Sequence, residues 1–146
     1  MNDDPGPILD QINVVARDVD AMVGFYRRLG IAIEDVDPRW DRHHRSALMA
    51  GGLDLELDSQ EFTATWNRGW PAGGAGVVIG FRVPTREAVD ERYEDLTAAG
   101  YTGQQDPYDA FWGARYAIVE DPDGNSVGLM SPMDPARRTP PPPPPA

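Results

Sequence analysis

The sequence predicts an α+β fold: two tandem βαβββ modules whose curved mixed sheets enclose a ligand cleft. Two amphipathic helix signals lie well apart in the chain, each follows a strand-like run, and the two halves can be laid in register on one another. The single domain is expected over residues 1–131, with module one at 8–58, a linker at 59–75 and module two at 76–131. Residues 132–146 form a proline-rich tail expected to be disordered.

The first helix is read in DVDAMVGFYRRLG, where Met22, Phe25, Tyr26 and Leu29 recur at helical spacing, Asp18 can cap the start and Gly30 can stop the end. The second is read in TREAVDERYEDLTAAG, with Val89, Tyr93 and Leu96 as its stripe, Thr85 as cap and Gly100 as stop. QINVVA precedes the first and VVIGFRV the second, and three short β-like stretches separated by Gly, Pro and Asp turns follow each. Gln11 and Val78 each lie seven residues before a cap. Laying residues 52–57 on 124–129 makes Glu56 the equivalent of Gly128. These four positions are the ones expected to face the cleft.

Composition narrows the chemistry. The chain has 146 residues, 40% of them hydrophobic, enough for one real core. Asp and Glu number 24 against 13 basic residues, a net charge of -11 that argues against nucleic acid or an anionic membrane and weakly favours a cationic small molecule. Every basic residue is arginine and there is no cysteine, so Schiff-base, thiol and disulfide chemistry are excluded. MNDDPGPILD has neither the basic region nor the apolar run of a signal peptide, and no window reaches the length of a membrane span, so the expectation is a cytoplasmic protein.

The stretches DQINVVARDVDAMVGFYRRLG, GFRVPTREAVDERYEDLTAAGY and YAIVEDPDGNSVGLM, in this order over residues 8–131, resemble the vicinal oxygen chelate superfamily of glyoxalases, bleomycin-resistance proteins and extradiol dioxygenases. The resemblance implies a homodimer, and in metal-dependent members a divalent ion held by His or Gln on the first strand, Glu on the fourth, His on the fifth and Glu on the eighth. Those positions here are Gln11, Glu56, Val78 and Gly128, of which two keep a donor atom. The expectation is therefore the metal-free branch, with no metal and no cofactor, binding or sequestering a small aromatic or cationic molecule of the antibiotic type. Two alternatives stand beside it: a metal-dependent lyase or dioxygenase of the same superfamily, and a metal-free biosynthetic enzyme in which Glu56 is the base.

His43 and His44 point to opposite faces of a strand and, flanked by Arg42 and Arg45, read as an exposed strand end. All four tryptophans, Trp40, Trp66, Trp70 and Trp112, are expected outside the helices, in strand ends or connections. DPYDAFWGARYA resembles the loop that closes over the pocket in metal-free members, where aromatic rings stack on flat parts of a ligand. The candidate ligand-binding residues are Gln11, Asn13, Trp40, Glu56, Trp66, Val78, Tyr108, Phe111, Trp112, Tyr116 and Gly128.

Overall fold

A computed structural model describes residues 6–74 and 76–146, apart from the side chain of Leu48. The α+β expectation holds: the described residues form seven strands and three α-helices. They fall into two compact units, a first of residues 10–78 with 143–146 and a second of residues 79–142 with those up to Leu9.

The first unit holds β1 (Ile8–Ala16), α1 (Val19–Leu29), β2 (His44–Leu48), β3 (Asp54–Ser59) and α2 (Gln60–Trp66). Its strand order is β2-β3-β1. β1 runs parallel to β3 with Gln11 opposite Asp54 and Asn13 opposite Glu56, while β2 runs antiparallel to β3 with His44 opposite Asp58 and Ser46 opposite Glu56. Because side chains alternate along a strand and opposed residues share a face, Gln11, Asn13, His44, Ser46, Glu56 and Asp58 lie on one face. The other face carries Ala16, Ala47 and Leu57, which pack with Val19 and Val23 of α1 and with Ile33 into a core.

α1 starts where expected, with the Asp18 carboxylate accepting from Ala21 N at 3.0 Å, and ends at Gly30, whose φ of 104° a side chain would resist. Its buried face differs from the expected stripe. Val19 and Val23 are buried, whereas Phe25 and Leu29 are 61% and 66% exposed, because the i, i+4 valine pair rather than the larger residues faces the sheet.

Module one also has one strand fewer than expected. Residues 31–37 make only an isolated bridge, Ile33 with Ala47. The cause is visible in the side chains. Arg27 takes the Ile33 carbonyl through Nε and Nη2, and Arg45 takes the Glu34 carbonyl at 2.7 Å, so acceptors that a strand ladder would use go to guanidinium groups. The expected linker at 59–75 begins instead with α2. Ser59 caps it by accepting from Phe62 N at 3.0 Å, and Phe62, Thr63 and Trp66 bury its inner face.

β4 (Gly76–Arg82) begins in the first unit and continues into the second, which contains α3 (Arg86–Ala98), β5 (Gly103–Asp109), β6 (Arg115–Glu120) and β7 (Ser126–Met130), completing the βαβββ order expected of module two. The strands lie in the order β4-β7-β6-β5. Thr85 caps α3 from Ala88 N at 3.0 Å, and Val89 seats the helix on Val83, Ala117 and Leu129. The tail expected to be disordered carries a 3₁₀ turn at Pro135–Arg137, and Asp134 N and Thr139 N each bond a carbonyl of the preceding loop, Gly113 O and Phe111 O, at 3.0 Å. No described helix is long and apolar enough to cross a membrane.

Candidate functional site

The polar face of the first unit is one hydrogen-bonded array. Gln11 Nε2 donates to Asn13 Oδ1 at 2.7 Å, and Asn13 Nδ2 donates to Asp58 Oδ2 at 2.9 Å. Asp58, only 1% exposed, uses its other oxygen on His44 Nδ1 at 2.6 Å. The opposite ring nitrogen, His44 Nε2, lies 3.5 Å from Glu56 Oε2 and 3.4 Å from Ser46 Oγ, and Ser46 donates to Glu56 Oε2. The array exists because DLELD on β3 and HRS on β2 place polar residues at every second position on strands paired in this register.

The imidazole is held from three sides. The turn before β2 folds so that Trp40 O accepts from His43 N at 2.8 Å and His44 N at 3.0 Å. The Phe62 ring of α2 lies 5.2 Å from the His44 ring, and Trp40 meets Phe62 edge to face at 5.2 Å. A buried carboxylate on Nδ1 fixes the neutral tautomer with the proton there and the lone pair on Nε2.

Electrostatics set Glu56 apart. Its side chain is 15% exposed, and burial pushes its carboxyl up to about 7; the His44 charge and the Ser46 hydrogen bond oppose that rise, and Asp58 and Asp54 reinforce it. For His44, burial works against the charged form, but the Asp58 hydrogen bond and the charges of Asp58 and Glu56 outweigh it and raise the pKa. Asp54 is raised as well, by burial and by Asp10.

These placements reassign several expected residues. Gln11, Asn13 and Glu56 come together, joined by Asp58, Ser46 and His44, none of which the sequence reading proposed. The alternation in HRSAL against DLELD could have found them. The histidine pair is not an exposed strand end: His43 is 7% exposed and bonds Ser59 Oγ at 2.9 Å, Arg45 is 5% exposed, and His44 joins the Glu56 face. A separate cavity of about 280 Å³ beside His43, lined by Arg17, Asp18, Arg42, Ser59 and Glu61, includes neither Glu56 nor His44. Trp66, expected in a connection, is a buried α2 residue at 5% exposure, and Val78 is fully buried.

In the second unit Tyr108, Phe111, Trp112 and Tyr116 come together and pack on one another. Trp112 stands edge-on to Phe111 at 5.1 Å, to Tyr116 at 5.4 Å and to Tyr108 at 6.4 Å, and its Nε1 points to Met130 Sδ at 3.3 Å. Arg115 steadies this loop by reaching Asp109 at 3.2 Å and Asp90 of α3 at 3.0 Å. Gly128 belongs to the same cluster. A Cβ there would stand 3.0 Å from Tyr116 Oη and 3.1 Å from its Cε2, so the phenol ring occupies the space a side chain at 128 would need.

That observation tests the family's metal set. Neither Val78 nor Gly128 has a donor atom, a side chain at 128 would crowd Tyr116, and only Gln11 and Glu56 remain. His44, Glu56 and Asp58 do not replace them, since Asp58 sits on Nδ1 and Glu56 on the Nε2 side of one ring. No group of three or more His, Cys, Asp or Glu among the described residues is arranged to hold a metal ion. The residues present do not fit the four-donor metal centre.

Residues 8–129 match the family model of the Glyoxalase/Bleomycin resistance protein/Dioxygenase superfamily. No curated protein matches the sequence. Among solved structures, a glyoxalase/bleomycin resistance protein/dioxygenase superfamily member from Vibrio splendidus 12B01 is similar with a TM-score of 0.57 at 16% identity, over 86% of this chain and 98% of that one. Methylmalonyl-CoA epimerase from Mycobacterium tuberculosis is similar with a TM-score of 0.54 at 19% identity, over 86% of this chain and 88% of that one. The Mn(II)-bound glyoxalase from Novosphingobium aromaticivorans gives a TM-score of 0.56 at 18% identity, over 86% of this chain and 38% of that one. At such identities the likeness is one of fold.

Proposed function

For a chain that belongs to the Glyoxalase/Bleomycin resistance protein/Dioxygenase superfamily, we propose metal-independent binding of a small cationic molecule, of the aromatic antibiotic type, on the polar sheet face of the first unit. The observation that carries this reading is Glu56, a mostly buried carboxyl raised to about 7 with Asp54 and Asp58 as further acidic neighbours. Its side-chain partners among the described residues are a hydroxyl and an imidazole, with no guanidinium. An ammonium or amidinium group entering beside it would supply a countercharge when His44 is neutral and gain strength from the low polarity around it. The donor set at Gln11, Glu56, Val78 and Gly128 supports metal independence.

The same carboxyl favours one second reading. A glutamate poised near neutral pH suits a general base, so a ligand with an exchangeable proton could be turned over rather than sequestered.

A fluorescence titration against a panel of cationic and aromatic antibiotics, run in EDTA, tests the binding reading, with Trp40 as a reporter near His44 through Phe62. Quenching by at least one cationic compound at micromolar concentration or below is expected, weakened about tenfold or more in Glu56→Gln by loss of the ion pair. A flat response across the panel, or stoichiometric metal in the purified protein, would overturn it. Turnover lost in Glu56→Gln while binding persists would select the enzymatic reading.

A further inference from the structure

The polar face offers more than one charge. Asp58 holds the proton of the neutral His44 ring on Nδ1, with the two atoms 2.6 Å apart and the carboxylate itself anchored by Asn13. Nε2 is then a lone-pair acceptor. It lies 3.5 Å from Glu56 Oε2, an oxygen that Ser46 also holds. His44 is about one-third exposed on its side chain and Glu56 15% exposed, so both can be reached from solvent. Two proton acceptors, one neutral and one anionic, therefore stand side by side on neighbouring strands, fixed by a buried carboxylate, a hydroxyl and the Phe62 ring.

We propose that His44 Nε2 and the Glu56 carboxylate together form a recognition site for a planar cation bearing two or more N–H groups, an amidinium or guanidinium, with Asp58 as the positioning residue that, in the neutral ring, leaves Nε2 as the acceptor. The proposal rests on the reading that Glu56 meets a cationic ligand, and it narrows that ligand from any cation to one with paired N–H donors. A planar amidinium presents parallel N–H bonds a little over 2 Å apart, a spacing that a carboxylate and an adjacent imidazole nitrogen can both engage. A quaternary ammonium has the same charge and no N–H, and would leave Nε2 without a donor.

The test compares benzamidine with phenyltrimethylammonium, matched in ring and charge, by calorimetric titration of the full chain in EDTA at a pH of about 8.5, where Glu56 is ionised and His44 can be neutral. Benzamidine is expected to bind about tenfold tighter or more, and His44→Phe, which keeps a flat ring and removes the acceptor, is expected to abolish that preference. Asp58→Asn is expected to reduce the preference as well, because Asn can accept from Nδ1–H but no longer holds the tautomer by charge. In the wild type, the ¹⁵N shifts of the neutral His44 ring should report Nδ1 protonated, a readout needing no variant. Equal affinity for the two cations, or a neutral ring protonated on Nε2, overturns the proposal and leaves the cation reading standing. No binding of either cation overturns the cation reading itself.

Discussion

Replacing Glu56 by glutamine removes a charge the fold holds at a cost, so the variant should be more stable than the parent in alkali and no more stable in acid. The folded carboxyl titrates near 7 against 4.5 when unperturbed. Because the folded value lies above the unfolded one, the native state binds more protons than the unfolded chain between those values. This contribution to stability is present below about 4.5 and lost as pH rises through about 7. The full difference corresponds to about 3 kcal/mol. Glutamine keeps an oxygen for Ser46 but remains a polar group that burial penalises, so the net gain at a pH of about 8.5 should be about 1–2 kcal/mol, a few degrees in Tm for a chain of this size. Urea unfolding of both proteins at a pH of about 5 and about 8.5 measures it. A Glu56→Gln penalty of the same size at both pH values would refute the reasoning, because it would show a carboxylate that the fold stabilises in its charged form.

The remaining structure makes further commitments. His44 is also raised, so its contribution is present below 6.5 and lost as pH rises through its folded value; the wild type should therefore lose stability between a pH of about 5 and 8.5 in thermal melts, and a flat profile would contradict the assignments at both residues. Gly128→Ala should destabilise by about 1–2 kcal/mol and perturb the near-UV signal of the aromatic cluster, because its methyl group meets the Tyr116 hydroxyl at 3.0 Å and the ring edge at 3.1 Å. Phe62→Ala, at a site 4% exposed, should cost about 3 kcal/mol and broaden the His44 ring resonances that Phe62 now holds. Trp112→Ala should lower Tm, since this ring packs on Phe111, Tyr108 and Tyr116; an unchanged melting curve would contradict that packing.

Where the sequence is locally consistent it could be read well. Asp18 and Thr85 are caps in both sequence and structure, and module two has its expected order. Legibility failed where a side chain competes with the backbone. IAIEDVD has the composition of a strand edge, but Arg27 and Arg45 claim the carbonyls of Ile33 and Glu34, partners set by contacts six and eleven residues away that no local pattern encodes. The α2 helix was legible in principle, with Ser59 three residues before Phe62 and Trp66 one turn later, but a glycine- and proline-rich sequence after it hid the signal. In the site, Glu56 and Gln11 could be placed by the internal repeat. His44 and Asp58 depend on the β2–β3 register, and a slip of one residue would have put His43 in that place. Gly128 first reads as a missing ligand. Its neighbour Tyr116, opposite Met130 on β7, supplies a second reason for the glycine that no one-dimensional repeat contains.

The central claim is that a cation answers the Glu56 carboxyl without help from a metal, and proton release on binding tests it most directly. Calorimetry of benzamidine binding at pH 7 in EDTA, in buffers of low and high ionisation enthalpy, counts the protons exchanged. A cation beside Glu56 lowers a pKa of about 7, and one that bonds Nε2 also expels the proton of His44, whose pKa is raised, so release of about half a proton per chain or more is predicted, reduced in Glu56→Gln. Binding that moves no protons, or that requires an added divalent ion, would contradict the account.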